Sequence, residues 1–222
     1  MTDAELAARI SDRLAAIRER IAAAGGHHVE VLAVTKTFPA AVVDAAVAAG
    51  CRTVGENYAQ EVAAKWPDVT TSPELHFIGQ LQTNKVRMLA PYVTVWETID
   101  RPSVVAELAK RVPGARVLVQ VDATGEPGKG GCPPADVPGL VDAARTAGLD
   151  VLGMMTVGPT GRPPAAAAPG FRQVRHLVDE LGLSVCSMGM SDDFEVAVGC
   201  GATEVRIGSA LIGARPPYTP TV

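Results

Sequence analysis

The sequence is sparing with several kinds of residue. Aromatic side chains make up only 4% of its 222 residues, so any large core must be aliphatic. Four histidines occur (His27, His28, His76 and His176), and their spacing matches no metal-binding pattern. Cys51, Cys132, Cys186 and Cys200 include no C-x-x-C pair, which signals neither a zinc site nor a disulfide framework. No apolar run reaches the roughly 18–20 residues of a membrane span. The N-terminus lacks the basic-then-apolar layout of a signal peptide. Charge of one sign is missing too: 20 basic against 24 acidic residues give a net charge of −4, no electrostatic case for nucleic acid or an anionic membrane. Together these absences predict a cytoplasmic protein with neither nucleic acid nor membrane as partner.

Apolar residues make up 47% of the chain, enough for one large core and hence one domain over 1–222. Within it, 1–24 reads as an N-terminal helix and 216–222 as a C-terminal tail. The helix carries Leu6, Ile10, Leu14, Ile17 and Ile21 on one face, a capping box at Thr2 and Glu5, and a stop at Gly25-Gly26. Beyond it, short apolar runs alternate with helical patterns. Strands are predicted at 29–35, 51–54, 75–79, 93–98, 116–121, 150–155, 184–188 and 203–207. Helices are predicted near 39–49, 56–65, 81–90, 101–111, 134–147, 171–181 and 192–200. Gly148, Gly182 and Gly201 stand where helix C-caps fall. Such alternation implies parallel βαβ units. Eight strands favour an α/β fold of the closed (β/α)8 TIM-type barrel, with an extra N-terminal helix, over an open doubly wound sheet. The stretch "GPTGRPPAAAAPG", 158–170, lacks periodicity and reads as an irregular, mobile connection after strand six.

In a parallel barrel, ligand chemistry gathers at the C-terminal strand ends. "EVLAVTK" brings Lys36 to the end of strand one, and "TVGEN" brings Glu56 and Asn57 to the end of strand two. Strand three hands over Gln80, Thr83, Asn84 and Lys85, strand four Thr98 and Asp100, and strand five Asp122. Two ends suit an anion. "SMGMSDD" after strand seven and "RIGS" at the end of strand eight offer hydroxyls, glycine turns and one guanidinium. Backbone N–H groups in such turns and at helix starts bind phosphate. The alternative is that the glycines only permit tight turns and Ser191 only caps a helix. A lysine beside a phosphate cradle fits a phosphorylated aldehyde held as a Schiff base, with pyridoxal 5′-phosphate (PLP) as the leading candidate. A Schiff-base aldolase without cofactor fits the same residues.

The strings "AVTKT", "GENYAQE", "LHFIGQLQTNK", "TID", "SMGMSDDFEVAV" and "VRIGSALIGAR" resemble the pyridoxal phosphate homeostasis protein family, from about residue 10 to Arg215. The resemblance implies a fold-type III PLP protein, similar to the barrel domain of alanine racemase, that buffers PLP and has no established reaction. Apo PLP-dependent enzymes are the implied protein partners, and the oligomeric state is left between a monomer and a weak dimer. Carried over by position, Lys36 matches the lysine that holds PLP as a Schiff base. Ser187, Met188, Gly189, Ile207, Gly208 and Ser209 match the phosphate-binding positions, with Met188 and Ile207 offering backbone N–H groups. Arg206 matches the arginine facing the pyridine nitrogen, and Asn57 a polar residue near the cofactor. Lys129 lies in a loop where the family often has a lysine, and is read as a solvated residue.

The sequence departs from the family at the alanine-proline tract 163–169, usually a charged helical lead-in, and at the short link "GLS" before strand seven. No catalytic and no metal-ligating residue is assigned. His76 reads as packed or hydrogen-bonded, Asp192 and Asp193 as helix-dipole partners, and Tyr58 and Tyr92 as packing residues. Racemisation needs a second base, which related racemases take from an additional β domain. The chain ends seven residues after Arg215, so no such domain is expected. A PLP carrier is the first expectation and a PLP-dependent racemase or lyase the alternative.

Overall fold

Strand β1 (Glu30–Val34) pairs in parallel with both β2 (Thr53–Glu56) and β8 (Glu204–Ile207), and this double pairing closes the sheet. Between them β3 (Glu74–Phe77), β4 (Val95–Ile99), β5 (Arg116–Gln120), β6 (Asp150–Met155) and β7 (Val185–Met190) follow in chain order around an eight-stranded barrel. The computed structural model describes residues 2–214, so the expected tail at 216–222 lies outside the described residues.

Helix α1 (Asp3–Ala23) precedes the barrel, and its Thr2–Glu5 capping box forms as the spacing predicts. Helices α2 (Ala40–Ala48), α3 (Ala59–Lys65), α4 (Val86–Leu89) and α5 (Pro102–Arg111) follow the first four strands. Helices α6 (Val137–Thr146), α7 (Ala168–Glu180) and α8 (Phe194–Gly199) complete the outer ring. The first helix packs on α2 and α8, flanking the closure of the barrel. There the Arg20 guanidinium bonds Glu195 at 2.8 Å and lies over the Phe194 ring.

Period-2 alternation divides each strand between two environments. Trp96 and Ile99 join the main apolar core shared with the helices. Val95 instead joins Leu118 and Met155 in a small apolar cluster inside the barrel. Glu97, Gln120, Ser187, Glu204 and Arg206 are buried as well, together with Leu32, which pairs in register with Arg206. All four cysteines are free, and burial pushes the Cys51 thiol up to about 11 and that of Cys186 to about 12.

Three expectations need correction. The 158–170 stretch is irregular only over 158–163: a 3₁₀ turn spans Pro164–Ala167 and runs into α7, with Ala167 buried. Proline is compatible with the first turn of a helix, where its missing N–H has no partner to lose. The same stretch is tethered, because the Thr160 N–H donates to Glu126 and Lys129 Nζ donates to the Gly158 carbonyl. Lys129 also pairs with Glu126 at 2.9 Å, so it is an anchored residue and not a solvated one. Finally, β2 begins and ends two residues later than predicted and α8 starts at Phe194, which leaves Ser191 outside any cap position.

A candidate ligand cavity at the C-terminal rim

At the C-terminal rim, a cavity of about 390 Å³ is lined by Lys36, Asn57, Ser191, Arg206, Gly208 and Ser209. Val34, Ile78, Met155 and Val157 form its apolar wall. The volume falls within the range of about 300–1,000 Å³ usual for small-ligand sites.

Lys36 stands two residues beyond the end of β1, after Thr35, and is partly buried. The next residue, Thr37, has φ +68°, a left-handed conformation that costs a β-branched residue about 1–3 kcal/mol. Its N–H donates to Glu61 Oε1 at 2.6 Å, which holds the strained turn. Behind it lies a buried ionic knot. Lys65 Nζ is 2.7 Å from both Glu56 Oε1 and Glu61 Oε1, and donates to the Thr35 carbonyl at 3.0 Å. Burial pushes Glu56 up to about 7, against the pull of Lys65. The knot ties the end of β1 to β2 and α3, and so fixes the backbone from which Lys36 projects. Glu56 therefore belongs behind the site, while its neighbour Asn57 enters the cavity.

Arg206, on β8 and only 4% exposed, is held by main-chain oxygens. One terminal nitrogen donates to the Ser187 carbonyl and the Ser187 hydroxyl, both at 2.8 Å, and the other donates to the Thr156 carbonyl at 2.6 Å. These three bonds leave two of its five N–H donors. The Ser187 hydroxyl in turn donates to Glu97 Oε2 at 2.8 Å, and Glu97 Oε1 lies 2.6 Å from His76 Nδ1. Burial alone would raise Glu97, yet His76, Arg206 and Ser187 together hold its carboxyl below the usual range. A file of polar groups thus runs down the barrel axis from the rim cavity.

The anion-binding positions divide in two. Ser209 and Ser191 stand together: the Ser209 hydroxyl donates to Ser191 Oγ at 3.3 Å, and the Ala210 N–H donates to the same oxygen at 3.4 Å. Gly208 is buried beneath them, next to Ile207 at the end of β8. Ser187 is different, because its hydroxyl faces the barrel interior and is already bonded to Glu97 and Arg206. The Met188 side chain packs in the outer core. Gly189 has φ +90°, and a Cβ there would lie 2.5 Å from the Ala197 Cβ, so this glycine lets α8 approach β7.

The cavity therefore joins Lys36, Asn57, Arg206, Gly208 and Ser209, whereas Ser187, Met188, Gly189 and Ile207 contribute no lining side chain. Sequence reasoning missed Ser191 as a lining residue. It also missed Glu97 and Glu204, whose signal was a carboxylate inside the apolar runs "VWETI" and "EVRI". His76 is hydrogen-bonded and buried, as expected.

Residues 8–216 match the family model of the alanine racemase N-terminal domain. The pyridoxal phosphate homeostasis protein of Pseudomonas aeruginosa is 41% identical over 220 residues, covering 95% of this chain and 96% of its own. The protein of the same name from Aquifex aeolicus is 37% identical, covering 97% of this chain and 99% of its own. Among solved structures, PipY of Synechococcus elongatus with PLP bound superposes with a TM-score of 0.80 at 30% identity, over 92% of this chain and 100% of that one. A closed parallel barrel with an amine and a serine-glycine cradle at its rim defines the class, the barrel domain of the alanine racemase type. Within that class, the chain belongs to the pyridoxal phosphate homeostasis protein family. Among the described residues, no helix is long and apolar enough to cross a membrane.

Proposed function

We propose that the rim cavity binds PLP and that the protein holds and releases it in PLP homeostasis, without turning over amino acids. The observation that carries this reading is the convergence of Lys36, Arg206, Gly208 and Ser209 on one cavity. The residues fit the group. Lys36 supplies the amine for covalent attachment of the aldehyde, and the turn at Gly208-Ser209 with Ser191 supplies donors for the phosphate. Ser187, Met188, Gly189 and Ile207 complete that end from behind, through backbone and packing. Asn57 Oδ1 is buried without a protein partner, which suits a polar group of the ligand. When bound, PLP supplies a reactive aldehyde and a ring that can accept electron density.

Arg206 favours holding over turnover. A guanidinium is always charged and only donates, so placed against the pyridine nitrogen it bonds that atom unprotonated and disfavours its protonation. Ser187 and Thr156 fix the guanidinium, which supports this reading. The carboxylate lining the cavity, Asp192, is exposed to water. A visible-absorption titration with PLP, followed by incubation with L- and D-alanine in deuterated water, tests the reading. Saturable binding with α-proton exchange near background is expected. Racemised product at ordinary enzyme rates, about 1–1,000 per second, would replace the carrier with a racemase.

A further inference from the structure

The barrel has a second cavity, at its opposite end. It measures about 340 Å³ and is lined by His76, Glu204, Glu74, Thr53, Arg52 and Arg116, among others, near the N-terminal ends of the strands. Two of its polar side chains are more than nine-tenths buried yet incompletely bonded. His76 Nε2 and Glu204 Oε1 have no hydrogen-bond partner. An unpaired buried polar atom is costly, so a pair of them in one cavity calls for an occupant.

The imidazole is already oriented. Its Nδ1 bonds Glu97 Oε1 at 2.6 Å, so in the neutral ring the proton sits on Nδ1 and the lone pair on Nε2, the atom a cation would take in exchange for a proton. Nε2 lies 3.9 Å from Glu74 Oε2, a separation that one ion bonded to both at about 2.0–2.2 Å can span. Glu204 Oε2 lies 3.6 Å from Nδ1 of the same ring, and one donor atom from each of His76, Glu97 and Glu204 lies within 4.8 Å of the others, so Glu204 reaches the ion through its unpaired Oε1. A histidine tethered through its far nitrogen to a buried carboxylate is the arrangement that orients metal-binding imidazoles. The other acidic knot, at Glu56 and Glu61, already holds Lys65 as its cation. The base cavity has no lysine among its lining residues, and its arginines pair with the outer carboxylates Glu30 and Glu74.

We infer that the base of the barrel is a divalent-cation site, with His76 Nε2, Glu204 and Glu74 as ligands and Glu97 as the residue that orients His76. One imidazole nitrogen and two carboxylates, completed by water, suit a first-row ion such as Mn²⁺, Co²⁺ or Zn²⁺. Glu74 is half-exposed and bridges Arg116 at 3.1 Å, a surface pair that gives way at little cost. The site shares no lining residue with the rim cavity.

The test uses the full chain, reduced and stripped with chelator, titrated with Co²⁺ by visible absorption and with Mn²⁺ by electron paramagnetic resonance. One ion per chain is expected. Glu74→Gln, at a half-exposed position that does not endanger folding, should weaken binding at least tenfold. His76→Gln and Glu204→Gln should weaken it further, and Glu97→Gln by about 10- to 100-fold through loss of orientation. Lys36→Ala and Ser209→Ala should bind the ion as the unaltered chain does, which separates this site from the PLP reading. Absence of stoichiometric binding would overturn the inference. So would binding that Glu74→Gln and His76→Gln leave intact, or that is lost instead on replacing His27, His28 or Cys200.

Discussion

Arg206 and Glu97 are joined through one hydroxyl: Ser187 Oγ lies 2.8 Å from the guanidinium and 2.8 Å from the carboxylate. The carboxylate is fully buried, so this bridge is how the positive charge at the rim is balanced inside the barrel. Glu97→Gln keeps the shape and removes the charge. Breaking a buried ionic network from one side costs about 3–5 kcal/mol, and a loss of that order is expected in urea unfolding. Ser187→Ala removes the bridging hydroxyl but leaves the Ser187 carbonyl bond to Arg206, and should cost less, about 1–2 kcal/mol. Equal losses for the two variants would mean that the bridge does not transmit the charge.

The phosphate assignment separates two ligands. Loss of a charge-assisted hydrogen bond costs about 1.5–3 kcal/mol, roughly ten- to a hundredfold in affinity. Ser209→Ala should weaken PLP by that factor and leave pyridoxal, which lacks the phosphate, nearly unchanged. Parallel losses for both ligands, measured by fluorescence or absorption titration, would place the phosphate elsewhere.

Stability should fall as pH rises through neutrality. Burial, joined by the negative charge of Glu97, pushes Glu204 up to about 8, and burial pushes Glu56 to about 7. An unfolded glutamate titrates near pH 4.3, so above that pH the native chain keeps protons that the unfolded chain has lost. Their stabilising contribution therefore declines upward from about pH 4.3, by up to about 1.4 kcal/mol per pH unit for each proton. His76 acts in the same direction: burial lowers its pKa, but Glu97 and Glu204 raise it on balance, so its contribution is full below about pH 6.5 and lost above its folded value. Glu97, held low, loses its contribution only in acid, below the ordinary carboxylate pKa. Urea midpoints between pH 5 and 8 should decline, and Glu204→Gln, with no proton to lose, should flatten the decline. Identical slopes would show that Glu204 ionises normally.

Gly189→Ala tests a position that looks like part of the phosphate site but has a packing reason of its own. With φ +90° and the Ala197 Cβ 2.5 Å from the added methyl, the variant must displace α8. Overpacking of this kind costs about 1–3 kcal/mol. Thermal unfolding should show the loss even without ligand, whereas a purely ligand-binding glycine would alter affinity alone.

The legible part of the molecule was the part governed by local pattern. Strand and helix alternation gave the barrel, and Gly148, Gly182 and Gly201 all adopt positive φ after their helices as the sequence predicts. Lys36, Arg206 and Ser209 could be placed on one rim because chain order fixes position around a closed barrel. The barrel interior was not legible. Glu97 pairs with Ser187 across 90 residues and Lys65 bonds Thr35 across 30, and no local spacing reports such contacts. The Pro-Ala tract at 163–169 misled for the opposite reason: proline suggests irregular chain, but a first helical turn tolerates it.

The central claim is that Lys36 is the residue that takes PLP. Borohydride treatment of the PLP-saturated protein, followed by peptide mass mapping, tests it most directly. The pyridoxyl mass should fall on the peptide containing Lys36, and Lys36→Ala should lose the label while keeping its fold. A label carried only by Lys65, Lys85 or Lys129, with Lys36 unmodified, would contradict the account.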